Sequence, residues 1–337
     1  MKAIRIGAPA GLEQLKLVDI ADPGDPGPGE LRVRIHASSL NRHDYLVCAG
    51  KMPTEDGRIP LSDAGGVVEA VGAGVTDFAV GDHVVSTFFP RWIDGETRME
   101  IAAFSEVPGD GIDGYAREVV VRPATCFTRA PRGWSHAEAA TITAAGLTAW
   151  RALVVNGGLK AGDVVLVQGT GGFSIYGLQL AKAMGATVIA TSSSDEKLER
   201  VRALGADFTI NYKTHEDWGK RALEWTGGRG VDHVLEVGGP RTLDESVIAC
   251  KAGGHIAFVG ALAGFSAPAP MALMLARQIR FQGLMVGSRA HQLDFVRALE
   301  ATGLRPVMDR TFPLDQLAEA FRYERAGQHF GKIAISI

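Results

Sequence analysis

Up to about residue 125, apolar positions fall in short alternating runs at 2–6, 15–20, 31–37, 66–71, 83–86 and 116–121. A period of two over such runs predicts β-strands. Clusters of glycine, proline and aspartate separate them, notably 21–30 and 72–82. Many short strands joined this way predict a barrel or a sandwich. The stretch 88–114 has no clear period, and a loop of that length is uncommon without a function. Near residue 130 the pattern changes. Ser135 and Glu138 form a capping box, and a run with little β-branching follows. From 163 onward, predicted strands at 164–168, 187–191, 208–210, 233–236, 255–259 and 280–286 alternate with helical stretches such as 176–184, 196–204 and 217–225. This alternation predicts a parallel sheet with helices on both faces. Helical stretches at 290–303 and 314–326 and a strand at 332–337 come last. The strand lies too far from the alternating run to be its next unit, so it is expected to return to the first domain. The reading is an α/β chain with domains at 1–125 and 126–290 and a C-terminal segment, 291–337, that rejoins the first.

Composition narrows the function. The chain has 337 residues with 22% charged and 46% hydrophobic positions, which excludes disorder as its main state. A net charge of -3 argues against nucleic acid or anionic membrane as the partner. Cys48, Cys126 and Cys250 are too few and too scattered for a disulfide framework or a CxxC cluster. No apolar run is long enough to cross a bilayer, and MKAIRIGAPAG lacks a signal peptide's apolar core. A reduced, cytoplasmic protein is expected.

The strongest motif is VVLVQGTGGFSIYGLQLAKAMGA at 164–186. A buried strand runs into Gly169, Gly171 and Gly172, and a helix starts directly after them. Such a turn lets backbone N–H groups approach a pyrophosphate, with the helix N-terminus adding partial positive charge. The strict GxGxxG form needs glycine at 174, where this chain has Ser174. That third position needs only a small residue for close packing. With six strands alternating with helices around it, the motif predicts a complete Rossmann sheet. An NAD-binding acidic residue is expected about 20 residues past the glycines, and the count reaches Ser192. Ser192, Ser193 and Lys197 instead suit a 2′-phosphate, favouring NADP. Two observations keep the alternatives open: Ser193 and Glu196 also read as a capping box, and Asp195 leaves NAD possible.

At this point the chain resembles the medium-chain dehydrogenase/reductase superfamily, nearest its zinc-independent quinone oxidoreductase-like branch. The resemblance runs through SSLNRHDYLVCAG (38–50), SDAGGVVEAVGAGV (62–75), AAGLTAWRAL (144–153), QGTGGFS (168–174), GGRGVDHVLEVGG (227–239) and HFGKIAI (329–335). It implies a GroES-like β-barrel catalytic domain beside the Rossmann domain, with the active site in the cleft between them. The positions matching the family's catalytic zinc ligands are Asn41, Ser62 and Ala145, poor ligands all, and 88–114 holds no cysteine for a structural zinc. No metal is therefore expected. The resemblance further implies that Tyr212 lies by the adenosine 2′-phosphate, unless it is simply a half-buried tyrosine. Gly238 and Val259 end the fourth and fifth strands at the cofactor, Gly287, Ser288 and Arg289 border the nicotinamide, and Lys332 is near the cofactor or at the surface.

Hydride transfer to a simple ketone concentrates charge on oxygen, which zinc would stabilise. Without zinc, acceptors that delocalise charge are favoured: quinones, and enones attacked at the β-carbon. The expected catalytic set is Asn41, His43 and Asp44. The Asn41 amide would bond substrate oxygen or the nicotinamide ribose, unless it serves as a turn residue. Asp44 would orient its neighbours. His43 stands where zinc-dependent relatives carry a proton-relay hydroxyl, and it either passes a proton or is structural. Two rivals remain: a zinc-free NADP-dependent alcohol or aldehyde dehydrogenase, and a nucleotide-binding protein with little catalysis. A homodimer is expected, because an apolar sixth strand needs covering at its edge.

Overall fold

The computed structural model describes residues 1–99, 104–264, 266 and 268–337; part of the unpatterned 88–114 stretch lies outside them. The chain divides into two compact units, one built from 1–147 and 286–337 and the other from 148–285.

In the first unit, β1 (Lys2–Ile6) and β2 (Leu15–Asp19) form an antiparallel pair. The main sheet has seven strands: six lie along its path, β3 (Glu30–Ser39), β4 (Gly65–Val71), β5 (His83–Ser86), β7 (Phe127–Arg129), β14 (Met308–Pro313) and β15 (Lys332–Ser336), and β6 (Val119–Pro123) pairs with β3 off that line. β15 runs antiparallel to β3 with Ala334 opposite Ser39, so the C-terminal segment completes this sheet. Alternation produces it: along β3 every second residue from Leu31 is buried. Leu31, Val33, Ile35, Val120 and Phe127 fill one core; Ile4, Leu61, Phe321 and Ile335 belong to a second.

The second unit carries a six-stranded parallel sheet in the order β10 (Phe208–Asn211), β9 (Thr187–Ser192), β8 (Val164–Gln168), β11 (Val231–Glu236), β12 (Cys250–Phe258), β13 (Arg280–Gly283). Counted along the chain this is 3-2-1-4-5-6, the Rossmann order. All six residues of β11 are buried, as a strand covered on both faces requires. Leu166, Ile189, Val234 and Ile256 form the centre of the core.

The boundaries differ from those expected. The first unit reaches Leu147 because Cys126 and Phe127 belong to its core and α2 (His136–Ala140) packs on β3, β4 and β5. The Ser135–Glu138 capping box that starts α2 is present. After Ala140 the helix continues in wide π turns at Ile142–Gly146 and Arg151–Val155, and the division falls inside that stretch. At the other end, the sixth strand stops at Gly283 rather than running to 286. Val286 has a positive φ of 43°, and the chain there crosses to the first unit. Among the described residues, no helix is long and apolar enough to cross a membrane.

Candidate functional site

In the second unit the glycine turn closes the end of β8. Gly169 has φ 74°, a left-handed conformation that favours glycine, and its N–H donates to Thr191 O at 2.8 Å. Gly171 then occupies the N-cap of α3 (Gly172–Ala183), where no side-chain cap bond forms. Backbone N–H groups at a helix start are the usual cradle for a pyrophosphate. Ser174, in place of the third glycine, donates its hydroxyl to Gln168 O at 2.6 Å and ties the helix to the strand. Close packing falls to a residue the motif did not single out. A Cβ on Gly177 would lie 2.3 Å from Leu235 Cδ1. The available signal was a glycine inside a helix, where it costs about 1 kcal/mol against alanine.

The end of β9 places Ser192 in the interior, where its hydroxyl accepts from Ser194 N at 3.3 Å. The helix cap differs from the one expected. Ser194, not Ser193, caps α4 (Asp195–Ala203) by accepting from Lys197 N, and no Ser193–Glu196 box forms. Ser193 and the Lys197 side chain are half-buried at this junction. Asp195, the residue that kept NAD open, accepts from Asn211 Nδ2 at 2.8 Å. Tyr212 follows β10 with its N–H on Ser192 O, and the residue is 42% exposed. Gly238 donates its N–H to Glu236 Oε1 at 2.8 Å, and Val259 N bonds Glu236 O.

Gly287 and Ser288 belong to the first unit. Ser288 is 1% exposed and caps α8 (Arg289–Thr302) in a reciprocal box with His291. Arg289 donates to Phe127 O at 3.1 Å. Their observed work is to seat α8 on the first unit's sheet.

The first unit also gathers a buried polar cluster. Asn41 caps α1 (Arg42–Cys48) in a capping box with Asp44. Its Nδ2 donates to Asp63 at 2.8 Å and to Asp44 at 3.1 Å, and its Oδ1 accepts from Lys332 Nζ at 2.8 Å. Both amide hydrogens are thus taken by carboxylates, which leaves no donor for a substrate oxygen in this arrangement. Asp44 also accepts from Ser62 N, and Asp63 from Ser39 Oγ. Lys332 is 4% exposed, donates to Leu40 O at 2.6 Å, and stands 3.7 Å from Asp63. It is not a surface lysine. Burial lowers its pKa and raises those of Asp44, of Asp63 to about 6, and of Glu324 on α9 (Leu317–Arg325) to about 7.

His43 is held differently. Its ring stacks on Phe104, meets Phe88 edge-on, and brings Nε2 within 3.2 Å of the Asp110 carboxylate.

Two family models match the chain: an alcohol dehydrogenase GroES-like domain over 27–132 and a zinc-binding dehydrogenase over 172–302. A zinc-type alcohol dehydrogenase-like protein of Schizosaccharomyces pombe is 39% identical across 97% of this chain and 96% of its own length. The chain belongs to the medium-chain dehydrogenase/reductase superfamily. Its fold matches the solved structure of a putative alcohol dehydrogenase from Sinorhizobium meliloti with a TM-score of 0.92 and 42% identity, over 100% of this chain and 99% of that one. It matches an NAD-dependent alcohol dehydrogenase with a TM-score of 0.90 and 36% identity, over 100% of both chains. A mycobacterial protein complexed with NADPH matches with a TM-score of 0.82 and 28% identity, again over 100% of both.

This member of the superfamily is an oxidoreductase whose relatives carry zinc in their names, so the fit of its residues to zinc matters. Ala145 has no donor atom, and the Asn41 and Asp63 oxygens face the Lys332 ammonium. A divalent cation there would meet a fixed positive charge and lack a ligand, so these residues do not fit zinc. Among the described residues, no group of three or more His, Cys, Asp or Glu side chains is placed to hold a metal. The glycine turn does fit a dinucleotide: its first glycine is left-handed and the helix it feeds has no side-chain cap.

Proposed function

We propose that this oxidoreductase is a zinc-independent, NADPH-dependent reductase of quinones or activated alkenes. The carrying observation is the Asn41–Asp63–Lys332 cluster, where an ammonium is bonded to Asn41, one of the three positions matching the family's zinc ligands. When bound, the nicotinamide supplies the hydride. The chain's own residues then bind, orient and manage a proton. The Gly169–Gly172 turn holds the pyrophosphate with backbone N–H groups. Ser192, Ser193 and Lys197 take the 2′-phosphate, with Tyr212 beside them; the engagement of Asp195 by Asn211 supports NADP over NAD. Gly238 and Val259 border the cofactor from the ends of β11 and β12, and Gly287 and Ser288 from the start of α8. Asn41 and Asp44 act as positioning residues for the segment that carries His43. His43 is the proton-transfer group, its ring fixed by Phe88, Phe104 and Asp110.

One observation favours a second reading. A histidine fixed against a carboxylate also suits alcohol oxidation, where a proton leaves with the hydride, and similar proteins are named as alcohol dehydrogenases. A homodimer through β13 is part of the proposal; all four residues of that edge strand are exposed, Phe281 among them. The deciding experiment uses EDTA-treated protein and follows the loss of reduced-nicotinamide absorbance with an ortho-quinone and with a small enone. Turnover with either supports the leading reading. Turnover only with alcohols and NADP⁺ transfers the assignment to the second, and NADPH binding without any turnover leaves a binding protein.

A further inference from the structure

The two strand ends flanking the point where the parallel sheet reverses its order are bonded to each other. β8 is the first strand, and β9 and β11 leave it on opposite sides. Ligands bind such sheets in the crevice off the strand ends at that reversal. Gln168 ends β8 directly before Gly169, and Glu236 ends β11 directly before Val237. Gln168 Nε2 donates to Glu236 Oε2 at 2.8 Å, and Gln168 Oε1 accepts from Val237 N at 3.2 Å. The Glu236 carboxylate has no exposed surface and collects five donors: Gly238 N, Gly239 N and Thr242 Oγ1 on Oε1, and Gln168 Nε2 and Ser246 Oγ on Oε2. A buried carboxylate is costly without such donors, and each charge-assisted bond constrains the group that makes it.

We infer that Glu236 is a positioning residue for dinucleotide binding: it fixes the floor of the crevice by locking the turn after β11 to the residue that precedes the glycine turn. The inference rests on the cofactor reading above. It assigns Glu236 no contact with the reacting atoms. Replacing its Oε2 acceptor by an amide removes the bonds from Gln168 and Ser246 and frees the two turns to drift apart.

The test measures the Kd of NADPH by its fluorescence on binding, together with the melting temperature of the cofactor-free protein. Glu236→Gln is expected to raise the Kd by about tenfold, the order of effect of loosening the two charge-assisted bonds that Gln168 and Ser246 make to Oε2. Thr242→Val deletes a single hydroxyl donor and is expected to move the Kd in the same direction by a smaller factor; it carries the test alone if Glu236→Gln does not fold. The exchange variant, Gln168→Glu with Glu236→Gln, restores a donor facing an acceptor between the strand ends and should return the Kd toward its original value. A purely structural role would lower the melting temperature and leave the Kd of the folded protein unchanged, and that result overturns the inference. Absence of NADPH binding in the unaltered protein overturns the cofactor reading and this inference together.

Discussion

Replacing Lys332 by methionine removes the ammonium that faces Asp63 and leaves that carboxylate, with Asp44 beside it, in the interior. Breaking a buried pair from one side costs about 3–5 kcal/mol, most of it for the charge left behind. The pH dependence separates this cause from simple loss of packing. Burial raises Asp63 from 3.8 to about 6, so the folded protein holds this proton to higher pH than the unfolded chain. That contribution is therefore fully present below the lower value and lost as pH rises through the higher one, at a cost of about 3 kcal/mol. Lys332 opposes the rise, so its removal pushes Asp63 further up. In urea titrations, the deficit of Lys332→Met should be largest near pH 8, about 3–5 kcal/mol. Toward pH 5 it should shrink to about 1–2 kcal/mol, the worth of the Leu40 carbonyl and Asn41 amide left short of a donor. A deficit that stays constant from pH 5 to 8, or no deficit at all, would refute the ion-pair account.

Four further outcomes are expected. Lys197→Ala should raise KM for NADPH by about tenfold and leave KM for NADH unchanged, the loss of one charge on a phosphate; equal changes would remove the basis for preferring NADP. Asp110→Asn should lower kcat by about tenfold, while His43→Asn should lower kcat by about a hundredfold with KM for NADPH unchanged; an unaltered kcat in both variants would show that the histidine is structural. Gly177→Ala should cost about 1–3 kcal/mol by thermal melting, because its methyl would meet Leu235 Cδ1, and Leu235→Val should recover part of that. Ser194→Ala should cost about 1 kcal/mol by removing the cap of α4, with Ser193→Ala close to neutral; the reverse order would restore Ser193 as the cap.

The Rossmann unit was legible because its signals are local. Continuous apolar runs become strands buried on both faces, and β8 lies where the run at 164–168 placed it. The first sheet was harder. Its strands at 127–129 and 308–313 are short or polar, and each is fixed by a partner distant in sequence: Phe127 by Ser86, Phe312 by Ile335. The candidate site divides in the same way. The glycine turn could be read from spacing alone. The burial of Lys332 could not, because it depends on Leu40, Asn41 and Asp63, remote residues brought beside it by the pairing of β15 with β3. Sequence reasoning offered the Asn41 amide to substrate oxygen or the nicotinamide ribose, with a turn role as the alternative, and could not see the partners that hold it. Gln168 and Glu236 escaped notice for the same reason: each ends an apolar strand, and only the strand order makes them neighbours.

The place of β15 has a consequence for biosynthesis. It lies inside the first sheet, between β14 and β3, yet it leaves the ribosome after the entire second unit has been made. Until then the Ala37–Ser39 end of β3 lacks its neighbour and β14 lacks the strand it pairs with, so the nascent first unit holds open backbone of the kind that invites association with other chains. The second unit, continuous in sequence, has all its strands available earlier and can acquire its core while the first waits. Translational pausing or premature termination before residue 332 would therefore release a chain with one finished domain and one adhesive sheet.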